Sequence, residues 1–484
     1  MADMKALAKD TAVYGLSSIV GRFLNYLLVP LYTHVMAKDS GDYGVSTNMY
    51  AYTALLLVVL TFGMETTLFR FANKEGERPD TVFSTAMAAV GALSAAFLAL
   101  VFGFWGPVTA ALGYAAHPEY VLMMAAVVAL DALQAIPFSF LRFKKRPVKF
   151  AALKLLFIIL NIGLNCVYFL WLGKTQVFYV FLINLWCTGF ITFFFIPDLL
   201  KVRWSFDVSL LKRMLSYSWP ILVLGIAGIL NQTADKMLFP LIYPDHSQGI
   251  VELGIYGACV KVAMIMAMIT QAFRYAYEPF VFAQSKDKAQ KDTYAQGMKY
   301  FVIFTLLAFL CVIGYMPILK HLVGSDYWAG LKVVPVVMAA EIMMGVYFNL
   351  SFWYKLMDRT IYGAWFSLAG CAVLLAVNVL FIPRYGYMAC AWGGFAGYGT
   401  AMALSYAVGQ RKFPIKYPLR RMGAYLLITI SAFILMSFSN DRLPSAAAMG
   451  LNTILIAVYI SYVLKKDMPL SSLPVIGRRF GKQG

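Results

Sequence analysis

Residues 252–282 read ELGIYGACVKVAMIMAMITQAFRYAYEPFVF. At roughly 1.5 Å of rise per residue, a helix of this length crosses a bilayer. It nevertheless carries Lys261, Gln271, Arg274 and Glu278. A charge at the bilayer centre costs roughly 2.5–3.5 kcal/mol on the insertion scale, so a partner or water must compensate it. Gln271, Arg274 and Glu278 recur at i, i+3 and i+7, which puts them on one helical face. Such a helix turns its charged face to a water-filled cavity or to another helix.

The rest of the chain has the composition of a membrane protein. Hydrophobic residues make up 61% and charged residues 13%, against roughly 25% charged in a soluble domain. Apolar runs recur throughout, which predicts an all-α polytopic membrane protein of about fourteen transmembrane helices. The spans fall near 11–33, 45–69, 82–105, 120–141, 150–172, 177–197, 214–239, 252–282, 300–319, 333–354, 360–382, 387–410, 422–438 and 446–464. The first apolar segment has no small-residue cleavage site and reads as a retained span.

Charge then sets orientation. The formal net charge is +18, which could suggest a nucleic-acid partner, but the basic residues alternate between sides. Of the 41 Lys and Arg, thirty fall in one set of alternate loops and termini, six in the other and five inside spans. Both termini are therefore expected in the cytoplasm, with no nucleic acid involved. The six cysteines lie singly in apolar segments and the four histidines form no ligand cluster, so no metal site or disulfide is expected.

The chain also repeats itself. Over about 210 residues of offset, Glu65 meets Glu278, Asp131 meets Glu341, Asn165 meets Asn378 and Gly173 meets Gly386. Paired spans share a direction, so the repeat is parallel. It predicts two six-helix lobes, 1–205 (spans 1–6) and 206–413 (spans 7–12), around a central cavity. Residues 414–484 add two further helices and a basic tail.

Five groups of residues are candidates for work in such a cavity. Arg22 and Asn25 share a face of the first span, and Lys261, Gln271, Arg274 and Glu278 lie on the eighth; an Arg in a span faces a polar interior or pairs with a neighbour for packing. Glu65, Asp131, Asp235 and Glu341 are candidate coupling or gating carboxylates, since a buried carboxylate exchanges protons near neutral pH; helix–helix hydrogen bonding is the plainer role. Asp235 and Lys236 point about 100° apart on a helix and need not pair. The basic run Arg142, Lys144, Lys145 and Arg146, with Lys154 beyond it, suits an anionic head group or lipid, or simply fixes topology.

With these residues in place, the chain resembles the Wzx-type polysaccharide flippases of the multidrug/oligosaccharidyl-lipid/polysaccharide transporter superfamily. The likeness rests on KDTAVYGLSSIVGRFLNYLLVPLYT, FGMETTLFRFAN, DALQAIPFSFLRFKKRP and LGIYGACVKVAMIMAMITQAFRYAYEPFVF. It implies alternating access and a lipid-linked oligosaccharide, carried on undecaprenyl pyrophosphate, moved from the inner to the outer leaflet of a bacterial inner membrane. Related flippases place cavity arginines on the first and eighth spans, where Arg22 and Arg274 fall. A pyrophosphate suits Arg, whose planar donors carry a permanent charge. The resemblance implies no catalytic activity and no cofactor beyond a coupling Na⁺ or H⁺. Nothing in the sequence argues for an obligate oligomer, so a monomer is expected, with membrane lipids and other polysaccharide-assembly membrane proteins as partners. Three alternatives stay open: a multidrug exporter, a peptidoglycan-precursor flippase, and a membrane-embedded glycan polymerase or ligase.

Overall fold

The structure, a computed structural model, describes residues 26–283, 290–357 and 359–467. Among these residues it is helical and has no strands. Twelve helical segments are long and apolar enough to cross a membrane. Two of the fourteen expected spans fall outside that set for different reasons. Most of the first lies outside the described residues. The twelfth is a helix, Tyr387–Lys412, whose glycines and polar residues lower its hydropathy. The chain divides into two compact units, and each is described by itself.

Unit 1 comprises residues up to Ala258 together with Asn378–Tyr387. It contains α1 (Leu28–Val35), α2 (Asp42–Thr61), α3 (Met64–Ala72), α4 (Pro79–Gly103), α5 (Pro118–Phe143), α6 (Pro147–Cys166), α7 (Val177–Phe193) and α8 (Val208–Ile242). The start of α9 (His246–Ala283) and the end of α13 (Ile361–Tyr385) complete it. One core joins Leu60, Leu68, Val82, Val128, Ile136 and Met214. With no water in the hydrocarbon layer, every polar group on these helices needs a protein partner. Gln134 of α5 donates to the Thr188 carbonyl at 2.8 Å and to the Thr192 hydroxyl at 2.9 Å. The Tyr32 hydroxyl donates to Asn165 at 2.8 Å, tying α1 to α6.

The second expected span, 45–69, is broken. Phe62 and Gly63 both take left-handed conformations, with φ of 50° and 68°, and separate α2 from α3. For Phe62 this is a strained backbone. A Cβ on Gly63 would sit 3.1 Å from Ile221 and 3.3 Å from the Ser218 carbonyl, so glycine also lets α8 approach.

Unit 2 holds the remainder of α9 and the start of α13, with α10 (Gln290–Gly314), α11 (Val334–Leu350), α12 (Phe352–Leu356), α14 (Tyr387–Lys412), α15 (Leu419–Arg442) and α16 (Ser445–Lys466). The last two helices dock on α10 through buried polar groups. Fully buried Asn452 donates to the Gly314 carbonyl and to Asn440, both at 2.9 Å. The Tyr459 hydroxyl donates to the Ile303 carbonyl at 3.0 Å. At one end Asp467 accepts from Lys299 at 2.8 Å, Arg421 at 3.1 Å and Tyr425 at 2.6 Å. Lys299, expected in a loop, is 4% exposed. Burial alone would raise the Asp467 carboxyl, but the hydrogen bonds from Lys299 and Tyr425 and the charges of Lys299 and Arg421 outweigh it, holding it below the usual carboxylate range.

Candidate functional site

Of the expected cavity residues, Arg22, Asn25 and the side chain of Glu278 lie outside the described residues. Lys261, Gln271 and Arg274 are half-buried on α9. The Arg274 guanidinium stands 4.8 Å from the centroid of Phe348. Around it, α9, α10, α11 and α12 enclose a narrow crevice lined by Thr270, Arg274, Phe348, Asn349, Phe352 and Lys355 among others. Its enclosed part has room for about one water. Two polar atoms of this lining, the Thr270 hydroxyl and the Asn349 side-chain oxygen, are buried without a protein hydrogen-bond partner. The crevice thus combines two cations held over aromatic faces with unspent hydrogen-bonding capacity. Sequence reading reached Arg274 but missed Lys355, which sits at a helix end in what looks like a short basic loop. Glu341 is half-buried on α11.

Unit 1 carries a separate polar strip on α3, α5 and α6. Glu65 accepts from Ser139 and from the Arg142 guanidinium, each at 3.3 Å. Its neighbour on α3, Arg70, stacks instead on Tyr217 at 4.1 Å. The Lys154 ammonium lies 4.1 Å from the Phe138 centroid, within the electrostatic reach of Asp131, Glu65 and Arg142. Asp131 lies near Lys154 and the Thr188 side chain. Two carboxylates and two cations therefore share one strip, and Lys154 is exposed.

Two further groups form ion pairs within the protein. Asp235 and Lys236 do pair: the ammonium sits 2.9 Å from both carboxylate oxygens, and Tyr256 donates to the same carboxylate at 2.8 Å. Their Cβ directions diverge, but the flexible lysine stem curls back. The basic run after α5 is also tied down within the protein. Arg142 pairs with Glu65, Lys144 reaches Asp80 at 3.8 Å, and Arg146 reaches Asp198 at 3.7 Å, a carboxylate shared with Lys149. Lys145, in the left-handed region at φ 51°, is exposed at the turn. Among the described residues no group of His, Cys, Asp or Glu could hold a metal ion, and the six cysteines are free thiols.

Long apolar helices in two units, with charged groups inside the spans, define a multi-pass membrane protein. The chain belongs to the polysaccharide biosynthesis protein family, whose sequence pattern it matches over residues 7–281. No curated protein sequence matches it. Its fold is similar to that of a lipid II flippase, MurJ, in an inward closed conformation, with a TM-score of 0.74 at 14% identity over 93% of this chain and 98% of that one. It is also similar to an inward-facing multidrug resistance MATE transporter of the MOP superfamily, with a TM-score of 0.63 at 12% identity over 86% of this chain and 98% of that one. The MATE multidrug transporter DinF-BH, in a ligand complex, gives a TM-score of 0.58 at 16% identity, covering 83% of this chain and 95% of that one.

Proposed function

We propose that this protein is a flippase for a lipid-linked oligosaccharide. It carries an undecaprenyl-pyrophosphate-linked glycan from the inner to the outer leaflet of a bacterial inner membrane, supplying surface polysaccharide. The family match over residues 7–281 carries this reading. The charged groups inside the spans support it, since a pyrophosphate head group needs cations where lipid offers none. Arg22, on the first span, and Arg274 with Lys355, near the crevice, would hold the phosphates, while the prenyl tail stays in the bilayer. Alternating exposure of the head group to the two sides, with lobes 1–205 and 206–413 as the moving halves, completes the cycle. Coupling to Na⁺ or H⁺ falls to carboxylates such as Asp131 and Glu341. Both termini are cytoplasmic on this reading, and the protein acts as a monomeric transporter rather than an enzyme.

Drug extrusion is the second reading, favoured by the carboxylates Glu65 and Asp131 and by the fold shared with MATE transporters. Deletion of the gene separates the two. The flippase reading expects a polyprenyl-pyrophosphate-linked glycan to accumulate, identified by mass, with drug susceptibility unchanged. Unaltered glycan pools with raised drug sensitivity would support extrusion.

A further inference from the structure

At the end of unit 1 away from its basic loops, α2 closes against α8 and α9 in an unusual way. Pro240 lies inside α8 and has no N–H, so the carbonyl of Lys236, four residues earlier, loses its helical partner. The Asn48 amide of α2 donates to that carbonyl at 2.7 Å. The Tyr114 hydroxyl donates to the oxygen of the same amide at 2.9 Å, which fixes its orientation, and Tyr52 donates to the next carbonyl, Met237, at 3.2 Å. Asn48 is 2% exposed. One turn away, glycine brings the α2 backbone onto α9. A Cβ on Gly44 would lie 1.8 Å from the Ile250 carbonyl oxygen, and one on Gly257 would lie 3.2 Å from the Thr47 Cβ.

We propose that Asn48 is a latch: it completes the backbone hydrogen bond that Pro240 removes from α8, and it must release for this end of the transport path to open. Three features suit a contact that parts rather than a permanent one. The nearby ion pair, Asp235–Lys236 with Tyr256, stays within α8 and α9, so it survives when α2 leaves. Gly44 meets α9 backbone to backbone, and the small Thr47 side chain rests on Gly257. The two carbonyls that Asn48 and Tyr52 cover can exchange those donors for water one for one, but only once water reaches them. Opening is thereby tied to hydration of the path, which a polar head group brings with it. That last step rests on the flippase reading; the latch itself rests on α2, α8 and α9.

The test uses the full-length protein in membranes, with its six cysteines replaced and the pair Thr47→Cys and Gly257→Cys introduced. The Cβ positions lie close enough for a disulfide after slight adjustment. Oxidation should cross-link the pair, and reduction should reverse it. Asn48→Ala should slow cross-linking about tenfold, the worth of one such hydrogen bond. Adding Pro240→Ala, which returns an N–H to the Lys236 carbonyl, should restore most of the thermal stability that Asn48→Ala removes, showing that the loss was the orphaned carbonyl and not a misfolded chain. Thr47→Cys alone should react with a membrane-impermeant maleimide only from the side opposite the basic loops. The locked pair should stop glycan export until reduced. Failure to cross-link, cross-linking indifferent to Asn48→Ala, a Thr47→Cys site never labelled, or full export by the locked protein would each overturn the latch. If wild-type protein exports no lipid-linked glycan, the flippase reading fails instead, and the labelling and cross-linking results still decide the latch.

Discussion

Arg274 and Asp467 show how differently two charged residues serve the same fold. Arg274 borders a crevice with uncommitted polar atoms, whereas Asp467 is spent on structure, with its side chain 2% exposed beside a Lys299 side chain 5% exposed. Arg274→Ala should therefore lower glycan transport by about tenfold or more, the worth of a charge-assisted hydrogen bond, with membrane abundance unchanged by immunoblot. Asp467→Ala should act the other way, on stability. It leaves buried Lys299 uncompensated, a loss of about 3–5 kcal/mol, visible as a lower melting temperature in detergent. Because the Asp467 carboxyl is depressed, its contribution is full above the unfolded value of about 4 and is lost as pH falls through the folded one. The melting temperature of the wild type should drop on acidification below about pH 4, and that part of the drop should vanish in Asp467→Asn. Arg274 was legible in the sequence because a charge stands out in an apolar run. The Lys299–Asp467 pair was not: its members are 168 residues apart, and each sits at a span end where charges are ordinary.

Among the elements, the break between α2 and α3 was also hidden from sequence. Phe62-Gly63 continues an apolar run with no proline, and a lone glycine inside a helical pattern rarely signals a reversal of backbone hand. What accompanies it is tertiary: α8 passes close to Gly63. Gly63→Ala should then cost about 1–2 kcal/mol for its left-handed conformation, with the crowding at Ile221 adding to it. Thermal unfolding of the purified variant checks this, and a variant as stable as the wild type would show that α3 can continue α2 unbroken. The basic run after α5 teaches a related point. Its residues were plain to read, but their carboxylate partners Glu65, Asp80 and Asp198 come from other elements, and pairing between elements has no local pattern.

For the whole molecule, periodic apolar runs were enough to read a polytopic helical membrane protein, because the bilayer allows few other solutions. Composition cannot name the cargo, since the same fold is shared by a lipid II flippase and by multidrug transporters. The two-sided claim, that a lipid-linked glycan starts inside and ends outside, is tested most directly in spheroplasts. Cells depleted of the protein would be treated with a glycan-binding probe that cannot cross the membrane, before and after the wild-type gene is restored. The expected result is lipid-linked glycan that accumulates out of the probe's reach and becomes accessible on restoration. Glycan that is fully accessible in depleted cells would contradict flipping and place the protein's work after the membrane crossing.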